Sequence, residues 1–172
     1  LCREDLALVK KKVRHLIVMG GQIPPKETPE VNIAAHVEAA RYVASHWPGK
    51  IYWQGFRVGH PVMTGNKLKQ TPKSNPVRRA YELRHFGARF AINGGQPSYD
   101  QAAAYFAVRG FRPALWKEQK GGRVSIDKVG FCSYQEDAAG EHVLVTRACP
   151  PARLAKLIEA LMIASPGKSG GR

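Results

Sequence analysis

The spacing of apolar residues changes several times along the chain, and each change predicts an element. Leu6, Val9 and Val13 fall at helical intervals behind Glu4 and Asp5, acids suited to a first turn. Lys10-Lys11-Lys12 closes that helix, where cations complement the dipole. Leu16-Ile17-Val18-Met19 is apolar at every position, which predicts a buried strand closed by Gly20-Gly21. Three prolines between Gln22 and Asn32 predict a loop. From about Ala35, the residues Val37, Ala40, Val43 and Trp47 repeat at helical spacing until Pro48-Gly49 stops the run. Ile51-Tyr52-Trp53 then predicts a second strand, closed by Gly55. Strand, loop, helix, strand is a βαβ unit, with parallel strands covered on both faces.

Beyond Gly55 the pattern predicts a short helix from Val58 to Met63 and a polar loop from Lys67 to Ser74. Asn75-Pro76 is a helix entry, an N-cap residue followed by proline at the first helical position, with Val77, Ala80 and Tyr81 as its buried stripe. Gly87 to Pro97 reads as a glycine-rich loop. Ser98 and Gln101 have capping-box spacing and open a helix through Val108 that is apolar nearly all round, hence interior. Alternation at Arg123 to Ile126 and at His142 to Thr146 predicts half-buried strands, with a short one between them near Phe131 to Tyr134. Pro150-Pro151 starts a last helix striped by Leu154, Leu157, Ile158, Leu161 and Met162. The expected architecture is α/β: a mostly parallel sheet flanked by helices, with a small C-terminal β ribbon. Residues 1–164 form the domain and 165–172 a flexible tail.

Composition narrows the functional classes. The chain has 172 residues, 44% of them apolar, which suits one globular domain and excludes a disordered segment. No apolar stretch approaches the roughly 20 residues of a membrane-spanning helix. Cys2, Cys132 and Cys149 lack the spacing of a zinc or redox motif, so reduced thiols in a cytoplasmic protein are expected. A net charge of +14 raises the possibility of a nucleic-acid or acidic partner, with Lys67 to Lys73 among the densest basic groups. Those cations are scattered, without interleaved aromatics, so polyanion binding ranks second.

Ligands in open parallel sheets bind at the carboxyl ends of the strands, which directs attention to the segment after Met19. There Val18-Met19-Gly20-Gly21, then Glu30-Val31-Asn32-Ile33, then Glu38-Ala39-Ala40, resembles the nucleoside hydrolase family, inosine–uridine preferring and its relatives. Gly55-Phe56 with Val58-Gly59 and Thr64-Gly65, Asn75-Pro76-Val77-Arg78-Arg79-Ala80-Tyr81, and Pro97-Ser98-Tyr99-Asp100-Gln101-Ala102-Ala103 continue the resemblance in order. It implies a partial nucleoside-hydrolase-like fold and hydrolysis of the N-glycosidic bond of ribonucleosides. It further implies that Glu30 and Asn32 bind ribose hydroxyls, that Asp100 is a calcium ligand, and that Tyr99 stands near the leaving base. A carboxylate and an amide two residues apart suit a vicinal diol, since extended backbone points both the same way.

One departure changes the functional expectation. The family's aspartate cluster, which supplies most calcium ligands and the water-activating base, has no counterpart here. The four aspartates are Asp5, Asp100, Asp127 and Asp137, and no two are adjacent. Calcium takes about six to eight oxygens, so the ligand set is incomplete. The sequence therefore reads as the C-terminal half of a nucleoside-hydrolase-like protein, with no catalytic residue of its own and inactive alone. Its expected partners are a ribonucleoside or other ribosyl substrate, the missing N-terminal half, and a second copy of itself. The alternative is a basic binding module on the same fold that takes nucleic acid or an acidic partner without catalysis.

Overall fold

The structure, a computed structural model, describes residues 2–83 and 94–164. In chain order its elements are α1 (Leu6–Lys12), β1 (His15–Met19), α2 (Val31–Ala34), α3 (Val37–His46), β2 (Lys50–Gln54), α4 (Phe56–Gly59) and β3 (Met63–Thr64). A 3-10 turn (Asn66–Gln70), α5 (Pro76–Leu83), β4 (Gln96–Pro97), α6 (Tyr99–Arg109), β5 (Trp116–Ile126), β6 (Cys132–Glu136), β7 (His142–Arg147) and α7 (Pro151–Ile163) follow. The proposed tail, and residues 87–93 of the glycine-rich loop, lie outside the described residues.

The main sheet has the order β1-β2-β7-β5-β6. β1 and β2 are parallel with Leu16 opposite Ile51 and Val18 opposite Trp53, and β2 is parallel to β7 with Trp53 opposite Leu144. β5 joins β7 and β6 antiparallel, so the expected ribbon forms one flank of the same sheet. Strand alternation sorts the core into two layers. Ile51, Trp53, Leu16, Val18 and Leu144 pack with Ile33 and Ala44 under α2 and α3. Their neighbours Ile17, Tyr52, Val143 and Val145 pack with Phe106, Leu154 and Ile158 of α6 and α7. The α/β class follows from that double covering, and the mixed sheet flanked by helices agrees with it.

Several elements differ from the sequence pattern, each because a tertiary contact outweighs local preference. The loop expected up to Asn32 ends earlier, since Glu30 caps α2 at Val31. The helix expected from Val58 to Met63 is α4, shifted toward Phe56, and Met63–Thr64 instead pairs with Gln96–Pro97. The polar stretch after Lys67 begins as the 3-10 turn because Leu68 is fully buried; buried Glu159 of α7 accepts from Gly65 N and Lys67 N, both at 3.1 Å. The capping box at Ser98 does not form. Ser98 Oγ lies 2.6 Å from Thr64 Oγ1, and Gln101 Nε2 donates to Tyr81 Oη at 2.9 Å. α6 buries one face only, through Ala102, Ala103 and Phe106, and leaves Val108 80% exposed.

His142 ties the two flanks of the sheet together. Its Nδ1 accepts from Val124 N at 2.8 Å, which requires that nitrogen unprotonated, and burial followed by the nearby Arg123 charge lowers its pKa. A base with a lowered folded pKa holds its full stabilising contribution above the unfolded value near 6.5. That contribution is lost as pH falls from there through the folded value. Thermal midpoints measured across pH 5–8 should therefore fall on the acid side, and His142→Asn, with an amide oxygen in place of Nδ1, should flatten the slope. An unchanged slope in that variant would assign the acid sensitivity to other groups.

Candidate functional site

β1 and β2 end side by side at Met19 and Gln54, and their exits are laced together. Gly20 N donates to Gln54 O at 3.2 Å, and Phe56 N donates to Gly21 O at 3.0 Å. Gly21 takes φ +78°, a backbone region that side chains disfavour, and this turns the chain away from the sheet. The returning loop delivers Glu30, while α4 starts directly after Gly55 and delivers Phe56. Between them and the start of α6 lies a hollow of about 590 Å³. Glu30, Asn32, Tyr99 and Asp100, all singled out from the sequence, line this one hollow.

Glu30 has two functions open to it, and one is structural. Its Oε2 accepts from Gly21 N at 3.1 Å, Asn32 N at 3.1 Å and Ile33 N at 3.3 Å, capping α2 and pinning the glycine turn. No hydrogen bond involves Oε1 among the described residues, so this oxygen is available to a ligand. Asn32 lies in the first turn of α2 rather than in extended backbone, which corrects the geometric reason for pairing it with Glu30. Its Nδ2 donates to Met19 O at 3.4 Å and approaches Met19 Sδ at 3.1 Å. The side chain is thereby folded back over the end of β1, and this contact, not a two-residue repeat, brings it to the hollow.

The opposite wall is aromatic. Phe56 stacks on His60 with centroids 4.7 Å apart, Phe56 and Tyr99 are 5.3 Å apart, and Tyr99 Oη lies 2.9 Å from His60 Nδ1. Lys26 Nζ sits 5.7 Å from the Phe56 centroid, at cation–π distance, and Lys26 also lines the hollow. Sequence reasoning missed Lys26, Phe56 and His60. The four-residue spacing of Phe56 and His60, directly after a strand-closing glycine, was the available signal for two of them. Lys26 sits in a proline-rich loop whose path no local rule fixes. Near the hollow, Cys132 has its pKa raised to about 11, first by burial and next by the Glu30 charge, so its thiol stays protonated at neutral pH.

Calcium, implied by the sequence resemblance, does not fit the residues present. Asp100 is one exposed carboxylate in the first turn of α6, and Glu30 has already committed one oxygen to three backbone groups. Among the described residues, no three His, Cys, Asp or Glu side chains gather closely enough to hold a metal ion. That donor set falls well short of the roughly six to eight oxygens calcium requires.

No family model matches the sequence, and no curated protein matches it significantly. Among solved structures the chain is similar to a plant nucleoside hydrolase, with a TM-score of 0.60 and 18% identity. The match covers 88% of this chain and 54% of that one, so the chain spans about half the length of the enzyme it resembles. The fold is therefore nucleoside-hydrolase-like over part of that architecture. Among the described residues, no helix is long and apolar enough to cross a membrane.

Proposed function

We propose that the hollow at the ends of β1 and β2 binds the ribosyl part of a ribonucleoside, and that this chain does not by itself break the N-glycosidic bond. The observation that carries the reading is convergence: a carboxylate oxygen with no hydrogen bond among the described residues, an amide and a second carboxylate meet around one hollow opposite an aromatic wall. Glu30 Oε1 can accept from one hydroxyl and Asn32 Oδ1 from its neighbour, while Phe56 and Tyr99 offer apolar faces to a planar base. Hydrolysis needs a base that activates water, and the described carboxylates of the hollow are a capping residue and an exposed helix-start acid. A further carboxylate-bearing segment is the natural complement. Among the described residues β1 is the edge of the sheet with Leu16 to Met19 each half-buried, a strand on which such a segment can pair beside the hollow.

Uridine and inosine should bind the isolated chain in an NMR titration, without base release above the uncatalysed background. Asn32→Ala should weaken binding about tenfold, the size of one lost hydrogen bond of about 1.4 kcal/mol. A site that pairs with hydroxyls should also discriminate against 2′-deoxyuridine. Equal affinity for uridine and 2′-deoxyuridine would remove the ribosyl reading, and brisk base release would remove the inactivity.

A further inference from the structure

Among the described residues the hollow lacks the donors for a divalent ion, yet it is not without positive charge. We propose that the ammonium of Lys26 is the resident cation of this site, so that a ribosyl ligand binds here without a divalent metal. The inference rests on the ribosyl reading for its ligand and on the hollow's own side chains for its cation.

Lys26 lines the same hollow as Glu30 and Asp100, and its Nζ is held over the face of Phe56. Among the described residues it makes no ion pair, so its three N–H donors remain free for a ligand. An ammonium in the same hollow as two carboxylates can donate to hydroxyl oxygens while the carboxylates accept from hydroxyl protons. It also repels a divalent cation from the same space. Lysine supplies this as a compact point charge on a flexible stem, and the cation–π contact restricts the positions that stem can take. The hollow is thereby matched to a neutral polyhydroxyl ligand, with donor and acceptor both charged.

Two measurements on the full chain separate this proposal from the ribosyl reading. In the first, Ca²⁺ alone is titrated calorimetrically into the unmodified protein and into Lys26→Asp. The unmodified protein should bind none below about 1 mM, and the variant, with an added carboxylate in place of the ammonium, should acquire measurable affinity. Calcium binding by the unmodified protein, or no gain in the variant, overturns the proposal. In the second, uridine affinity is measured by NMR in EDTA and in excess Ca²⁺, for the unmodified protein and for Lys26→Met. Equal affinity in the two buffers and a loss of about tenfold in Lys26→Met are expected. Affinity that rises with calcium, or a Lys26→Met variant that binds as well as the unmodified protein, overturns it. Lys26 is exposed on a loop, so neither variant threatens the fold. Absence of uridine binding in both buffers would remove the ribosyl reading, while the calcium titration still decides the role of Lys26.

Discussion

Glu30→Ala is expected to lower the unfolding free energy by about 3 kcal/mol, more than a residue serving a ligand alone would cost. One oxygen of this buried side chain accepts from three backbone N–H groups. Two of those are the orphan donors at the start of α2, and removing such a cap costs about 1 kcal/mol. The third, Gly21 N, is buried, and leaving it without an acceptor adds about 1–3 kcal/mol. The loss should appear as a lower urea midpoint with an unchanged denaturant slope, since the folded state stays compact. Glu30→Gln keeps an acceptor oxygen in the same place and should recover about half the loss. Stability unchanged in Glu30→Ala would mean that water replaces the carboxylate, leaving the residue free for ligand binding alone.

Gly59→Ala should be as damaging, for a steric reason. A Cβ at this position meets the Cα of Tyr99 and lies 2.7 Å from Ser98 O and 2.8 Å from Tyr99 N. The obstruction is backbone, so no side chain can swing aside. α4 and the start of α6 would have to separate, and overpacking of this kind costs about 3 kcal/mol. The displacement falls on Tyr99, which lines the hollow and contacts His60, so the aromatic wall should move with it. Gly49→Ala is the control. Its added Cβ has Arg14 O as nearest neighbour at 3.6 Å, an ordinary contact, and stability should change by less than about 0.5 kcal/mol. Comparable losses in both variants would place the effect in glycine's backbone freedom rather than in the close approach of the two helices.

The two substitutions also explain why part of the site could be read in advance. Glu30 and Asp100 are 70 positions apart, and no local rule relates them; the collinear resemblance selected them and the fold brings them to one hollow. Asn32 also follows from the resemblance, and the structure replaces only the extended-backbone argument that supports it, because the Glu30 cap starts a helix where three preceding prolines suggest continued loop. Lys26 is not legible in the sequence because a lysine in a polar loop carries no periodicity, and the contact that places it, with Phe56, depends on where β2 ends.

The sequence determined what depends on neighbours along the chain. Uninterrupted apolar runs marked β1 and β2, helical spacing marked α3 and α7, and glycines marked the ends of the strands. Together these gave the βαβ unit and the class. Only the tertiary structure decided which backbone groups Glu30 satisfies, why Ser98 bonds Thr64 rather than its own helix, and that the C-terminal ribbon extends the parallel strands. The reason is common to all three. A polar side chain takes whichever partner the packed chain brings within about 3 Å, and that partner is set by the fold, not by distance along the sequence.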